Sequence, residues 1–261
     1  MKNTLAVYNR ELRSYFSSPL AYAVMAGFFL IAGFFFYAIL TNFLNYAMRS
    51  EMQAQYYRMA PPPINVNMIA LRPFFHNIAI VMVFAVPLIT MRLYAEEFRS
   101  GTIELLLTSP IRNIETLLGK YFSAVTLYAA LIAGTFVYQV LLFLYGKPEL
   151  GQILSSYLGM LLLGGAFISV GIFLSTLTDN QIVAGFLTII LLLLFWVIGW
   201  ADEFAGPKLG AFLGYISLLS HFDEFAKGVI DLKDIILYLS FSVFFLFLTY
   251  VSLESKRWRT R

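Results

Sequence analysis

The chain has 261 residues, of which 60% are hydrophobic, 17% aromatic and only 13% charged. Soluble domains carry about a quarter charged residues, so this composition excludes an ordinary soluble protein and indicates a membrane protein. The net charge of +3 does not indicate a nucleic-acid partner, because Lys and Arg are spread between apolar runs and form no dense stripe. The chain has no cysteine, which excludes disulfides, thiolate metal ligands and a cysteine nucleophile.

Residues 1–19 have the pattern of a helix lying in the membrane interface, with basic side chains beside an apolar face. Lys2, Arg10 and Arg13 supply the charge, and phospholipid headgroups are the expected anionic neighbours. No cleavage is expected, because a signal peptide needs a short apolar core directly after its positive end and then a small-residue cleavage site. The apolar face comprises Leu5, Tyr8, Leu12, Tyr15 and Phe16.

Six charge-free apolar runs follow, each close to the roughly 20 residues needed to cross about 30 Å of hydrocarbon. They lie at 20–40, 74–90, 121–145, 153–177, 182–201 and 235–253. Unbroken runs of this kind lack the alternation of barrel strands and must be helical, because no water is present to satisfy the backbone. The sequence therefore predicts an all-α polytopic membrane protein with six transmembrane helices.

The lysines and arginines set the predicted orientation. With the N-terminus inside, eleven of the 18 Lys and Arg residues lie inside, most of them close to the ends of spans. Both termini are therefore predicted to be cytoplasmic. The inside set is Lys2, Arg10, Arg13, Arg92, Arg99, Arg112, Lys120, Lys256, Arg257, Arg259 and Arg261.

Residues 87–120 form the one long polar stretch that lies between two spans on the predicted cytoplasmic side. A charge cluster precedes a break at Gly101, and apolar residues then recur at helical spacing. Ser109-Pro110 ends the pattern, since the residue before a proline disfavours the helical conformation. The spacing predicts a short amphipathic helix at about 101–109.

The run from Glu96 to Leu106, EEFRSGTIELL, followed by Ser109-Pro110, resembles the intracellular loop of type-2 ABC transporter permease subunits. In that family the short helix is a coupling helix that docks into a groove on a separate ATP-binding subunit. The alternative is an ordinary membrane-surface helix with a solvated charged face. The resemblance implies a polar rim of Glu96, Glu97, Arg99 and Glu104, an apolar centre of Ile103, Leu106 and Leu107, and Gly101, Thr102 and Ser109 in the same partner-binding segment.

The link between the fourth and fifth spans is so short that these helices must pack antiparallel. It reads Thr178-Asp179-Asn180-Gln181. Asp179 is predicted to cap the fifth helix. Asp179 and Gln181 also face the predicted cytoplasmic side, where they would form a second contact with the partner.

The segment between the last two spans has apolar residues at spacings of three and four, which predicts short external helices at about 208–230. Its run HFDEFAKGVID, from His221 to Asp231, resembles the gliding-motility and copper-processing branch of the same family. His221 and Glu224 share a helix face, but a structural metal site needs four ligands. We therefore predict a solvated helix end at His221, Asp223 and Glu224 and no metal.

Several motifs are missing from the sequence. No Gly-rich phosphate loop with a following Lys and Ser or Thr is present, so the chain is predicted to be non-catalytic and to leave ATP and Mg to a partner subunit. No charged residue lies in the middle of a predicted span, which disfavours ion-coupled secondary transport. No cofactor is predicted for this chain.

The resemblance implies a permease subunit in a bacterial inner membrane, paired with an identical or related second permease subunit above two copies of an ATP-binding subunit. Within the narrower branch it also implies a periplasmic accessory protein. Two alternatives stay open. A channel or scaffold would need no ATP-binding partner, and a polytopic membrane enzyme would have to use His76, Asn77 and His221.

Overall fold

The computed structural model describes residues 2–60, 65–103, 111–146, 148–204, 206, 210, 214–215 and 217–259. Within these ranges the chain is helical and contains no strand, as the sequence predicts. A π-helical turn, Asn67–Leu71, precedes the third α-helix. The helices are α1 (Lys2–Ser17), α2 (Pro19–Tyr57), α3 (Arg72–Thr90), α4 (Arg92–Arg99), α5 (Asn113–Gly134), α6 (Phe136–Tyr145), α7 (Leu150–Ser175), α8 (Gln181–Phe204), α9 (Leu218–Ala226) and α10 (Leu232–Arg259).

Six helical stretches in the described residues are long and apolar enough to cross a membrane, which confirms the predicted number of spans. The second and third spans are each built from consecutive helices, α3 with α4 and α5 with α6. The six stretches are Pro19–Tyr57, Asn67–Arg99, Asn113–Leu144, Leu150–Ser175, Gln181–Gly199 and Leu232–Lys256.

The first span is much longer than the charge-free run predicted. Helix α2 has 39 residues and continues beyond residue 40 into the stretch between the first two predicted spans. At about 1.5 Å per residue it exceeds the roughly 30 Å of hydrocarbon by several turns. It ends where Arg58 adopts a left-handed conformation with φ 52°. The end of a charge-free run predicts where the chain leaves the hydrocarbon of the membrane. It does not predict where the helix ends, because backbone hydrogen bonds can continue into a polar stretch.

Helix α7 lies at the centre of the bundle and packs against α3, α5, α8, α9 and α10. Its small residues allow these neighbours to approach closely. A Cβ added at Gly164 would lie 2.1 Å from the Tyr128 ring, and one at Gly171 would lie 2.1 Å from Thr90 Oγ1. These small residues thus serve packing within the chain.

The two ends of the bundle are distinguished by their connections. The terminal end comprises α1, residues 100–103 and 111–112, the link from 176 to 180 and the end of α10. The opposite end comprises residues 58–60, 65–66, 146 and 148–149 together with α9. Among the described residues, the ion pairs between different helices lie at these two ends.

Candidate partner-binding site at the terminal end

Helix α4 ends in a corner at residues 100–102. The Ser100 N–H donates to the Glu96 carbonyl at 2.9 Å, and Ser100 Oγ donates to the same oxygen at 2.8 Å. Gly101 follows with φ 70°, the left-handed conformation common just after a helix end. Thr102 Oγ1 lies 2.8 Å from Ser100 Oγ. The break predicted at Gly101 is confirmed, and the chain leaves α4 in a fixed direction.

The predicted partner-binding residues of this region divide into exposed and buried ones. Ile103 is 7% exposed and packs into the hydrophobic core of this chain, and its predicted role as an apolar docking anchor stays a prediction. The exposed residues are Glu96, Arg99, Gly101 and Thr102. The remainder of the predicted helix lies outside the described residues, namely Glu104, Leu106, Leu107 and Ser109.

A buried lysine, Lys120 on α5, lies behind this corner with its side chain 1% exposed. Its Nζ donates to the Leu93 carbonyl at 2.7 Å, to Glu97 Oε1 at 2.9 Å and to Glu11 Oε1 at 3.0 Å. The three N–H donors of the ammonium group are therefore all matched. The same nitrogen lies 5.0 Å from the centroid of the Tyr94 ring. Helices α1, α4 and α5 thus meet at one atom.

Glu97, predicted as a rim charge of the partner contact, pairs within the chain in this structure, and its predicted role stays a prediction. Its side chain is only 14% exposed, and Oε1 accepts from both Lys120 and Arg10. Its Oε2 is buried and has no hydrogen-bond partner among the described residues. The carboxylate therefore holds α4 against α1 and α5.

Arg10, Glu11, Glu97 and Lys120, named here the Lys120 cluster, balance two positive against two negative charges. Burial acts to raise the pKa of Glu11, but Lys120 and Arg10 outweigh it, so that this pKa lies below its ordinary value. Burial acts to lower the pKa of Arg10, but Glu11 and Glu97 outweigh it and raise this pKa. Both groups keep their charges at neutral pH.

Tyr15 provides a second contact between α1 and the second span. Its hydroxyl donates to the Ile89 carbonyl at 3.0 Å, and the Arg92 guanidinium carbon lies 4.4 Å from its ring centroid. Burial raises the pKa of Tyr15. The apolar face predicted for α1 is therefore divided, because Tyr15 packs into the bundle whereas Leu5 and Phe16 stay exposed.

The last span also reaches the corner. Lys256 Nζ donates to the Thr176 carbonyl at 2.6 Å and lies 3.7 Å from the centroid of the Phe98 ring on α4. Asn113 Nδ2, at the first residue of α5, donates to Glu254 Oε2 at 2.8 Å. The end of α10 is thus connected to the end of α4 and to the start of α5.

The link between α7 and α8 corrects the predicted helix cap. Asn180 caps α8, since its Oδ1 accepts from the backbone N–H of Ile182 at 2.9 Å and of Val183 at 3.4 Å. Asp179 is exposed and Gln181 is half-buried at the same end of the bundle. The side chain that forms the cap follows the predicted one by a single position.

At the opposite end, the predicted solvated helix end is correct only in part. His221 is 8% exposed, with Nδ1 2.5 Å from Asp234 Oδ1. Asp223 accepts from Arg72 at 2.9 Å, and its other oxygen lies 3.4 Å from His76 Nδ1. Glu224 pairs at the surface with Lys227. No group of three or more metal-ligating side chains occurs among the described residues.

Sequence patterns did not indicate the Lys120 cluster. Lys120 was counted only as one of the cytoplasmic cations, because it directly precedes the apolar run of the third span. A signal was nevertheless available, since Glu11 and Glu97 both lie on the apolar side of short polar helices. A carboxylate in that position needs a cation from another helix, because an unpaired buried charge is costly.

The fold and this site define a polytopic α-helical membrane protein with a buried polar junction behind an exposed corner. Residues 5–256 match the family described as ABC-2 family transporter protein, so the chain belongs to that family. It is therefore a multi-pass membrane protein and a permease subunit of an ABC transporter. A search of curated proteins gave no significant match.

Proposed function

We propose that the chain couples ATP hydrolysis by a separate nucleotide-binding subunit to export or to a conformational signal across the membrane. The contact surface would consist of the exposed corner side chains Glu96, Arg99 and Thr102 together with the segment that follows Ile103. Asp179 and Gln181 would add a second contact at the same end. A helix seated in a groove suits this task, because apolar anchors give affinity while charges fix the register.

The single observation that supports coupling is the position of Lys120. The corner lies between α4 and α5, and Lys120 ties these two helices to each other and to α1 at distances of 3.0 Å or less. A rigid-body push on the corner must therefore move the second and third spans and the N-terminal helix together. If a flexible linker joined the corner to the spans, the corner could move without moving them.

The remaining parts of the assembly belong to the same proposal. Two permease subunits, identical or related, would pair in a bacterial inner membrane, with the terminal end cytoplasmic and two ATP-binding subunits bound there. The opposite end, with α9, would face the periplasm. Similarity of the His221–Asp231 run to the gliding-motility and copper-processing branch supports a periplasmic accessory protein that receives the signal.

The test is copurification of an ATP-binding subunit from native membranes in mild detergent. The variant combines Glu96→Arg with Arg99→Glu, which reverses two exposed corner charges without touching the Lys120 cluster. A second variant, Glu104→Arg with Leu106→Asp, changes the segment beyond Ile103. We expect both variants to lose the ATP-binding subunit while remaining folded in the membrane.

The matched control exchanges the charges of Glu224 and Lys227 at the opposite end, where they form a surface pair. This control also changes two charges, and copurification should persist. If the unaltered protein copurifies with no ATP-binding subunit, the proposal fails and a channel or scaffold becomes the better explanation. If the control loses the subunit as the corner variants do, the site is assigned to the wrong end.

A further inference from the structure

Two apolar grooves lie side by side on the surface of α5 near the terminal end. The α1 groove, between α5 and α1, has a volume of 590 Å³, and the α10 groove, between α5 and α10, has a volume of 540 Å³. Leu118 lines both grooves, so α5 forms the ridge that separates them. Each volume falls within the range of about 300–1,000 Å³ that is typical of ligand pockets.

The α1 groove is formed where α1 lies directly on α5. A Cβ added at Gly119 would lie 2.8 Å from the Cβ of Val7, so the two helices touch at this point. Tyr8 extends from α1 along α5, with its hydroxyl 3.1 Å from Thr126 Oγ1 inside the third span. Leu5 and Phe122 line the groove and are 60% and 50% exposed. Contacts on both helices thus fix the shape of the groove.

The α10 groove lies between two membrane-spanning stretches, Asn113–Leu144 and Leu232–Lys256. Its exposed side chains include Val243 and Phe247 on α10 and Ile114 on α5. This surface belongs to spans, so its occupant must be apolar along the length of the groove.

The mouth of the α1 groove is positively charged. Lys2 lines this groove, and the exposed Arg112 directly precedes α5. The carboxylate in this region, Glu115, already has partners within the chain, because its Oε2 accepts from Asn3 Nδ2 at 3.1 Å and from the Arg112 backbone N–H at 3.2 Å. The side chains of Lys2 and Arg112 therefore favour an anion at the membrane surface.

We infer that the two grooves bind one anionic phospholipid, with a hydrocarbon chain on each side of Leu118 and the phosphate beside Lys2. Two adjacent apolar grooves of similar volume, open at the same end of the bundle, match the two chains of one lipid. A second copy of this chain is the competing occupant, but a helix about 10 Å wide would rest on the α5 ridge and leave the grooves unfilled. The inference does not depend on the coupling proposed at the corner.

The first test is native mass spectrometry of the protein in mild detergent with added phosphatidylglycerol or phosphatidylcholine. We expect tighter binding of phosphatidylglycerol, and Lys2→Gln should weaken it about fivefold, the effect of one cation at a lipid surface. Arg13→Gln is the matched control, because it removes an exposed cation of α1 that does not line either groove. Equal binding of the two lipids, or equal losses in the two variants, would overturn the inference.

The second test asks whether one lipid occupies both grooves. Val243→Trp fills the α10 groove from an exposed position, so phosphatidylglycerol should bind about tenfold more weakly while single-chain lysophosphatidylglycerol binds unchanged. Val251→Trp, at an exposed position of α10 outside the groove, should leave both affinities unchanged. Unaltered binding of phosphatidylglycerol to Val243→Trp would overturn the arrangement. If Val243→Trp fails to fold, the comparison of Lys2→Gln with Arg13→Gln still decides.

The third test distinguishes a lipid from a second copy of the chain. The chain has no cysteine, so Leu118→Cys introduces a single thiol between the grooves. In membranes under oxidising conditions we expect this variant to form no disulfide between copies and to react with a lipid-soluble thiol reagent. Efficient crosslinking of two copies through this residue would show that protein covers the grooves and would overturn the inference.

Discussion

Lys120 and Glu97 form a buried ion pair between α5 and α4, with 2.9 Å between Nζ and Oε1. The pair joins the last turns of the second span to the first turns of the third. An ion pair therefore joins the two helices that precede and follow residues 100–112.

Removal of the Lys120 ammonium should destabilise the protein strongly. Lys120→Met leaves the carboxylates of Glu11 and Glu97 with the half-exposed Arg10 as their remaining cation in the cluster, and breaking a buried pair costs about 3–5 kcal/mol. The midpoint of thermal unfolding in detergent measures the effect. Lys227→Met removes a lysine from an exposed pair and should change stability by less than about 1 kcal/mol.

A compensating variant distinguishes lost charge balance from lost packing. Lys120→Met combined with Glu11→Gln and Glu97→Gln removes one positive and two negative charges from the junction. Part of the stability should return, because no uncompensated carboxylate stays buried. A triple variant as unstable as Lys120→Met alone would show that the packing of the lysine side chain, rather than its charge, dominates.

Acid should weaken the attachment of α1. The pKa of Glu11 is lower in the folded protein than its ordinary value of 4.5, since Lys120 and Arg10 outweigh the effect of burial. Its contribution to stability is therefore complete above the ordinary value and is lost as the pH falls through the lowered value. Unfolding midpoints measured from pH 7 to pH 3 should decline less steeply in Glu11→Gln than in the unaltered protein. Equal slopes would contradict the assigned contacts of Glu11.

The corner after α4 should depend on its glycine. Gly101 has φ 70° and open space where a Cβ would lie, so the penalty of Gly101→Ala comes from the backbone alone. A left-handed residue with a side chain costs about 1–2 kcal/mol, and Gly101→Asn should cost less. Protection from proteolysis at the corner measures the effect. Gly27→Ala, in α2 with equally open space, should be neutral or stabilising.

The cap of α8 can be tested by comparing neighbouring substitutions. Asn180→Ala removes the acceptor for the N–H groups of Ile182 and Val183 and should cost about 1 kcal/mol. Asp179→Ala removes an exposed side chain that does not form the cap and should have a smaller effect on unfolding. Stability is measured in the same detergent for both. A larger loss for Asp179→Ala would restore the original assignment of the cap.

Sequence reasoning worked well where one strong physical constraint decides the outcome. Hydrocarbon admits only helices that satisfy their own backbone, so apolar runs near 20 residues were sufficient to predict six spans. The break at Gly101 was predictable for a similar reason, because glycine adopts the left-handed conformation without the penalty of a Cβ. Span lengths were less predictable, since the polar continuation of α2 beyond residue 40 has no hydropathy signal.

The sequence by itself therefore determined an all-helical membrane protein of six spans with a polar corner between the second and third, and its family follows from the same residues. Only the tertiary structure decided which charges are exposed and which hold the protein together. Glu96 and Glu97 are adjacent in sequence, yet Glu96 is exposed while Glu97 reaches Lys120 and Arg10. His221 likewise met Asp234 only through packing of α9 on α10. Such pairs join residues that are distant in the chain, so the pattern around either residue alone does not contain them.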